Sequence, residues 1–222
     1  MHRHVFLTGP PGIGKTTLIQ KVSEVLTTFK VHVDGFYTEE VRLGQRRVGF
    51  DVVTMSGQRG KLARISSDVK NENSKYRVGQ YFVDIVSFEQ LVLPLMDRFC
   101  MVPTSTFIHR NIWEVVVLFI LTCNMRSTPD TRVRSVCVID EIGKMELFSK
   151  PFILDIGKIL NNPSNVVLGT LPVSSGRLLP FVEEVRCRQD VKLFNVTREN
   201  RDQVLHEIVT TIQEALKNTN TD

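Results

Sequence analysis

A glycine-rich stretch near the start of the chain constrains its fold more than any other feature. Residues 9–16 read Gly9-Pro10-Pro11-Gly12-Ile13-Gly14-Lys15-Thr16, which fits the pattern G-x-x-x-x-G-K-[ST] of phosphate-binding (Walker A) loops. Glycines let the backbone turn sharply and approach a polyphosphate, while successive N–H groups form an anion-binding nest. We predict that Lys15 reaches the β- and γ-phosphates and that the Thr16 hydroxyl binds Mg²⁺. The predicted nucleotide contacts extend to Thr17.

The segments on either side of this loop have the pattern of a strand and a helix. Val5-Phe6-Leu7 is a short apolar run, typical of a buried strand. After the loop, Leu18, Val22, Val25 and Phe29 recur at helical spacing. A helix that begins at the loop directs its partial positive charge at the phosphates. This context favours a phosphate loop over an ordinary Gly/Pro turn.

Length and charge limit the classes of protein to consider. The chain has 222 residues, enough for one domain with a sizeable core. The net charge of +4 suits a protein that binds polyanions. No basic run alternates with aromatic residues, as it does in many nucleic-acid-binding proteins. We therefore expect no nucleic-acid partner, and we expect a monomer.

The cysteines and the apolar segments indicate the compartment. Cys100, Cys123, Cys137 and Cys187 form no C-x-x-C pair and no zinc-binding spacing, so we expect free thiols in a reducing environment. The most apolar segment, 112–123, contains an acidic residue and is shorter than the ~20 residues that a bilayer requires. We expect no secretory leader, no membrane partner and a cytoplasmic location.

Strands and helices are predicted to alternate along the chain. Apolar runs at 31–33, 136–139, 166–168 and 192–194 read as strands, the first ending at Asp34-Gly35. Weaker strand patterns at 48–53, 61–65 and 80–86, with turns at Gly44 and Gly57, suggest a β-rich excursion. The result is an α/β fold of the P-loop NTPase type: a mainly parallel sheet with helices on both faces, forming one domain over 1–222.

Three helices are predicted after the first one. Ser87 is a plausible cap for a helix that Pro94 could distort, and Ser149 is a plausible cap for a helix with Pro151 in its first turn. The last helix carries one apolar side, formed by Leu205, Ile208, Val209, Ile212 and Leu216.

The strand predicted at 136–139 ends in two acids, Asp140 and Glu141, which is the Walker B arrangement. Ligands of open α/β sheets lie beyond the carboxyl ends of the strands. Asp140 is therefore predicted to help hold Mg²⁺ near Thr16, through a coordinated water. Glu141 is predicted to be the general base, or to position the water that attacks the γ-phosphate. The alternative for Glu141 is a solvated carboxylate or a salt bridge to Lys144.

Further candidates follow the next strands. Thr170 ends the strand at 165–170 and is predicted to approach the γ-phosphate or the attacking water. Asn195 and the residues after it, 196–198, are predicted to meet the base and ribose, with a helix cap at Thr197 as the alternative. The chain has no Asn-Lys-x-Asp guanine motif, so we expect little base selectivity. Lys144 and Arg177 are candidates for a second cation at the transition state, with surface charges as the alternative.

Several stretches together resemble the cancer-related nucleoside-triphosphatases, a family of small P-loop phosphatases. The resemblance runs from His4 to about Val209, and its most specific stretches are Asp34-Gly35-Phe36-Tyr37-Thr38 and Asp140-Glu141-Ile142-Gly143-Lys144-Met145-Glu146. It implies Mg²⁺-dependent hydrolysis of nucleoside triphosphates to diphosphates, with ATP, GTP, CTP and UTP all accepted. It also implies nucleotide-binding positions at residues 9–16 and at Val136, Cys137, Val138, Ile139, Asp140, Glu141, Ile142 and Gly143.

One region departs from the family pattern. From about Phe99 to Thr131 the chain has a long segment, with Trp113 and the apolar run 115–121, where the family has a short link. A loop of this length is uncommon inside a compact domain. We hypothesise a peptide appended beside the core, with an added helix or a partner-binding element as the alternative.

Two other functions stay open from the sequence. A nucleotide or small-molecule kinase needs an acceptor pocket and a lid rich in arginine, and no clear lid of this kind is apparent. A slow nucleotide-dependent switch needs a partner that stimulates turnover. Hydrolysis is the leading interpretation.

Overall fold

The carboxyl ends of parallel strands position the candidate site. The computed structural model describes residues 2–65, 75–100, 135–174 and 179–219. Its strands are β1 His4–Thr8, β2 His32–Leu43, β3 Arg46–Thr54, β4 Arg59–Ile65, β5 Arg77–Val78, β6 Tyr81–Val83, β7 Ser135–Ile139, β8 Val166–Thr170 and β9 Val191–Asn195. Its α-helices are α1 Lys15–Thr28, α2 Ile85–Cys100, α3 Lys150–Asn161, α4 Pro180–Arg186 and α5 Val204–Asn218, with a 3₁₀ helix at Glu146–Phe148.

All nine strands belong to one sheet, in the order β5-β6-β4-β3-β2-β7-β8-β1-β9. The strands β2, β7, β8, β1 and β9 run parallel. The strands β3, β4, β6 and β5 extend the sheet beyond β2 as antiparallel neighbours, which confirms the predicted excursion. Because β8 lies between β1 and β7, the ends of these three strands meet at one edge.

Helices cover both faces of the sheet, as predicted. In β1, Phe6 packs on one face with residues of α2 and α3, while Val5 and Leu7 pack on the other with residues of α1 and α5. This alternation follows from the two-residue period of a strand. The four residues of β7 from 136 to 139 are fully buried, as expected for a central parallel strand.

Strand β2 is longer than the sequence predicted. The Asp34-Gly35 pair does not end it, because β2 continues for another eight residues, to Leu43. Gly35 has a φ of 126°, and a Cβ atom there would lie 2.1 Å from the carbonyl oxygen of Val138. This glycine therefore permits a close approach of β2 to β7 and does not mark a turn.

Two helix boundaries also differ from the prediction. Phe29 follows α1 and is 59% exposed, so Leu26 is the last apolar residue that α1 buries. Helix α2 begins before Ser87, since the Asp84 side chain accepts a 3.0 Å bond from the Ser87 N–H. The strand predicted at 80–86 accordingly ends at Val83. The cap at Ser149 is confirmed, since its hydroxyl accepts from the Phe152 N–H.

The proposed inserted segment falls almost wholly outside the described residues. Its first two residues, Phe99 and Cys100, belong to α2, where the Phe99 carbonyl accepts a 2.8 Å bond from the Asn165 side chain. Residues 101–134 are not described, and Cys123 is among them. The cysteines that are described are free thiols. No helix in the described ranges combines the length and the apolar character that crossing a membrane requires.

Candidate active site

The phosphate loop joins β1 to α1 and leaves backbone N–H groups open. Gly12 and Gly14 have φ values of 73° and 106°, in the region that only glycine adopts readily. No side chain caps the N-terminus of α1 at Gly14. Its first N–H groups therefore lack a side-chain acceptor, and an anion is their natural partner.

The Lys15 ammonium group lies against the loop. Its Nζ donates to the carbonyl oxygens of Gly9, at 2.9 Å, and Pro10, at 3.3 Å. No carboxylate of the described residues lies within salt-bridge distance of it. The positive charge of Lys15 is therefore available to a phosphate.

Asp140 is bonded to two hydroxyl groups from separate elements. Thr16 donates to its Oδ2 at 2.6 Å, and Thr170 donates to its Oδ1 at 2.5 Å. The carboxylate is 1% exposed. Burial raises its pKa, and the bonds from Thr16 and Thr170 oppose that rise. The structure thus brings the phosphate loop and the ends of β7 and β8 together at the Asp140 carboxylate. Thr170 reaches it because β8 pairs with β7 in the sheet.

Glu141 follows directly, after a cis peptide bond with Asp140. Burial raises the pKa of Glu141, the Asp140 charge raises it further, and Lys15 opposes both. None of the hydrogen bonds among the described residues involves the Glu141 side chain. A half-buried carboxylate near a lysine, with its oxygens free to accept a bond from water, is suited to proton abstraction.

A third carboxylate stands beside Glu141, and the sequence analysis assigned it no role. Glu146 is 4% exposed, and its Oε2 accepts a 3.1 Å bond from the Gly143 N–H. Burial, followed by the charge of Glu141, raises the pKa of Glu146 to about 8. A Cβ atom on Gly143 would lie 2.9 Å from Oε1 of Glu141 and from Oε2 of Glu146. The feature of the sequence that could have indicated a buried acid is the position of Glu146 between two apolar residues, Met145 and Leu147.

A cleft of about 710 Å³ adjoins the phosphate loop. One wall is the loop itself, from Pro10 to Ile13, and the other is formed by Thr197, Arg198, Glu199 and Arg201. The loop after β9 was predicted to meet the nucleoside, and Thr197 and Arg198 do line this cleft. Asn195 does not line it, and its carbonyl accepts a bond from the Asn200 side chain. Glu199 and Arg201 were not anticipated.

The remaining predicted site residues lie in different surroundings. The side chains of β7 at 136–139 and that of Ile142 are fully buried in the core, so they support the site without facing it. Lys144 is exposed and lines a second cavity, with Glu141. Arg177 lies outside the described residues.

Comparison with known proteins identifies the family. The profile of the NTPase family matches residues 4–103 and 106–209. The chain is 52% identical over 217 residues to the cancer-related nucleoside-triphosphatase of Homo sapiens, covering 98% of this chain and 100% of that protein. It is 34% identical over 209 residues to the nucleoside-triphosphatase THEP1 of Thermotoga maritima, covering 94% and 95%.

Two solved structures have the same fold. The solution structure of a human cancer-related nucleoside triphosphatase superposes with a TM-score of 0.71 at 50% identity, covering 96% of this chain and 98% of that chain. The crystal structure of THEP1 from the hyperthermophile Aquifex aeolicus superposes with a TM-score of 0.69 at 33% sequence identity, covering 95% of this chain and 99% of that chain. The resemblance found in the sequence is thereby confirmed: the chain belongs to the NTPase family, alongside the cancer-related nucleoside-triphosphatases.

Proposed function

We propose that this protein hydrolyses nucleoside triphosphates to diphosphates and phosphate, with Mg²⁺ and with little selectivity for the base. The observation that carries the proposal is the bond between Thr16 and Asp140, which joins the phosphate loop to the end of β7. It places Glu141 beside the same point, within the electrostatic influence of Lys15. This combination is typical of enzymes that cleave the terminal phosphoanhydride bond.

Substrate binding follows from the loop and the adjoining cleft. The triphosphate lies against the N–H groups of the loop and the N-terminus of α1, with Lys15 moved from the loop carbonyls to the phosphates. The nucleoside lies in the cleft next to Arg198 and Arg201. A guanidinium plane that stacks on the face of a base tolerates every base, because in that position it makes no hydrogen bond to the base edge. We therefore propose that ATP, GTP, CTP and UTP are all substrates.

The oxygen atoms at Asp140 fit a magnesium ion. A hydroxyl and a carboxylate are hard oxygen ligands, and Mg²⁺ commonly binds through few protein ligands together with phosphates and water. Asp140 is buried without a cation among the described residues, so a bound cation would offset its desolvation. No three or more His, Cys, Asp or Glu side chains in the described ranges form a metal-binding group. When bound, the ion would neutralise charge on the β- and γ-phosphates.

The protein groups then perform the hydrolysis. Glu141 accepts a proton from a water molecule whose oxygen attacks the γ-phosphorus, and the bond to the bridging oxygen breaks with its electron pair leaving on the diphosphate. Lys15 stabilises the charge that develops on the transferred group. Thr170 holds the Asp140 carboxylate in place. We propose that the protein acts as a monomer.

The test compares phosphate release from the four triphosphates by the parent and by Glu141→Gln. We expect the parent rates to agree within about tenfold across the bases, and a loss of at least about 100-fold in the variant. Nucleotide affinity, followed by fluorescence titration, should be retained. Glu184→Gln, on the exposed side of α4, is the matched control and should keep the parent rate. A Glu141→Gln protein as fast as the parent would remove Glu141 from the mechanism.

A further inference from the structure

Glu141 lines a second cavity, of about 270 Å³, which shares no lining residue with the cleft that borders the phosphate loop. This volume is near the lower end of the ~300–1,000 Å³ that small-molecule sites occupy. None of the residues that line it belongs to the phosphate loop. The proposed general base therefore also lines a cavity that the nucleotide site does not account for.

The walls of this cavity come from parts of the chain distant in sequence. The antiparallel extension and the middle of β2 contribute Thr38, Phe50, Leu62 and Val78, one residue from each of four strands. Residues 172–174, after β8, and residues around the start of α4 form the facing wall. The floor is the segment from Glu141 to Glu146. The antiparallel strands beyond β2 contribute no residue to the cleft at the phosphate loop, and here they enclose space next to the Glu141 carboxylate.

The lining is mainly apolar, and its charged groups offer no excess of positive charge. Apolar surface comes from Phe50, Leu62, Met145, Val173, Leu179 and Val182. The carboxylates are Glu141, Glu146 and Glu183, and Lys144 is the one cation among the lining residues that the structure describes. Glu183 is paired with Arg186 at 3.3 Å. Burial raises the pKa of Glu146 to about 8, and Lys144 offsets the charge of Glu141, so no net positive charge is left to hold a phosphate or carboxylate ligand. An uncharged molecule with an apolar body matches this lining.

We infer that this cavity is an acceptor site, which holds a small uncharged alcohol with its apolar part between the extension and α4 and with its hydroxyl at Glu141. The inference rests on the proposed function, because it uses the same bound nucleotide and the same general base, Glu141. The alcohol takes the place of the attacking water. Thr38 connects the two sites directly, since its side chain lines the cavity and its backbone bonds to Asp140.

The step conserves atoms and charge. The alcohol oxygen forms a bond to the γ-phosphorus, and its proton moves to the Glu141 carboxylate. The bond between the γ-phosphorus and the bridging oxygen breaks, and the electron pair leaves with the nucleoside diphosphate. The products are a phosphate monoester and the diphosphate, with no change of oxidation state.

The experiment follows the fate of the γ-phosphoryl group. Parent protein is incubated with Mg²⁺ and γ-labelled ATP, with and without benzyl alcohol, and benzyl phosphate and inorganic phosphate are separated and counted. The cavity is filled by Val173→Trp, a 43% exposed lining position that tolerates a larger side chain. Leu43→Trp, 77% exposed and absent from the lining, is the matched control. Leu179→Trp is a second blocking variant, used if thermal melting shows that Val173→Trp is unfolded.

We expect benzyl phosphate from the parent and from Leu43→Trp, and a fall of at least about tenfold in the blocking variants, whose phosphate release without alcohol stays within about twofold of the parent. Phosphate release without any benzyl phosphate from the parent would overturn the acceptor site and leave the proposed hydrolysis intact. Equal benzyl phosphate from blocked and parent proteins would overturn its assignment to this cavity. A parent that releases no phosphate would contradict the proposed function and, with it, this inference.

Discussion

The hydroxyl of Thr16 lies 2.6 Å from Oδ2 of Asp140, and it links two residues that are 124 positions apart in the chain. The bond closes the candidate site, because one partner belongs to the first turn of α1 and the other to the end of β7. In the sheet, β8 separates β7 from β1, and Thr170 at its end bonds to the same carboxylate. The site is therefore defined by residues from three separate segments of the chain, namely Thr16, Asp140 and Thr170.

Replacement of Asp140 by asparagine should separate stability from activity. The buried carboxylate has a desolvation cost, seen in its raised pKa, which a neutral amide avoids. We expect the melting temperature of the nucleotide-free protein to rise by roughly 2–4 °C, while Mg²⁺-dependent phosphate release falls at least about 100-fold. Calorimetry and a magnesium titration of the rate measure the two effects. A variant that keeps its magnesium response would contradict the role of Asp140.

Gly143→Ala should lower turnover with little effect on folding. A methyl group there would lie 2.9 Å from Oε1 of Glu141 and Oε2 of Glu146, so one or both carboxylates must move. We expect a loss of about 10–100-fold in kcat. Gly157→Ala is the control: it lies within α3, has no atom within 4 Å of the new methyl group, and should stabilise the protein by about 0.5–1 kcal/mol. An unchanged kcat in Gly143→Ala would show that the Glu141 position is not critical.

Gly35→Ala should strongly destabilise the protein. Its Cβ atom would lie 2.1 Å from the Val138 carbonyl oxygen, and its φ of 126° is unfavourable for alanine. We expect a loss of at least about 3 kcal/mol in the free energy of unfolding, measured by urea denaturation. Gly44→Ala, at a hairpin turn with open space around it, should cost only about 1–2 kcal/mol. Equal losses would show that β2 and β7 can move apart at Gly35.

Glu146 should make the protein less stable as the pH rises. Its pKa in the folded protein is raised to about 8 by burial and by Glu141, above the ordinary value of 4.5. Between these values the side chain is ionised in the unfolded chain and protonated in the folded one, so the contribution of Glu146 to stability is greatest below pH 4.5 and is lost as the pH approaches 8. We expect Glu146→Gln to remove this slope and to be the more stable protein near pH 8. The free energy of unfolding across this range measures it, and parallel curves would contradict it.

His4 should remain neutral in mildly acidic solution. It is fully buried, its Nδ1 accepts from the Val167 N–H at 3.2 Å, and its Nε2 donates to the Leu160 carbonyl at 3.1 Å. Burial, followed by the charge of Arg3, lowers its pKa from 6.5 to about 4. Because the pKa in the folded protein is lowered, the contribution of His4 to stability is full above pH 6.5 and falls as the pH drops toward 4. An NMR titration of the ring checks this, and a midpoint near the ordinary value would contradict it.

Local patterns predicted much of the architecture. The apolar run at 136–139 lies in a central parallel strand, and Ser149 caps α3, because burial on two faces and helix capping each leave a signature in a few adjacent residues. The turn assigned to Asp34-Gly35 was wrong. A glycine required by contact with a strand 100 positions away looks the same in sequence as a glycine required by a turn.

The chemical roles assigned to the site residues from the sequence stay predictions. The position of Lys15 in the glycine-rich loop indicated a phosphate contact. The positions of Asp140 and Glu141 directly after a buried strand indicated a metal ligand and a general base. Glu146 was not recognised, because its protonation depends on burial and on the nearness of Glu141. The cavity beside Glu141 was also unforeseen, since four strands and a distant helix contribute to it.

The sequence alone determined the phosphate loop, the acidic end of the buried strand and the family to which the chain belongs, because each is written in contiguous residues. Only the tertiary structure decided that Thr16, Thr170 and Asp140 meet, that burial raises the pKa of Glu146 and that space remains beside Glu141. Strand order, distance and dielectric environment are properties of the packed chain, and no local stretch of residues encodes them.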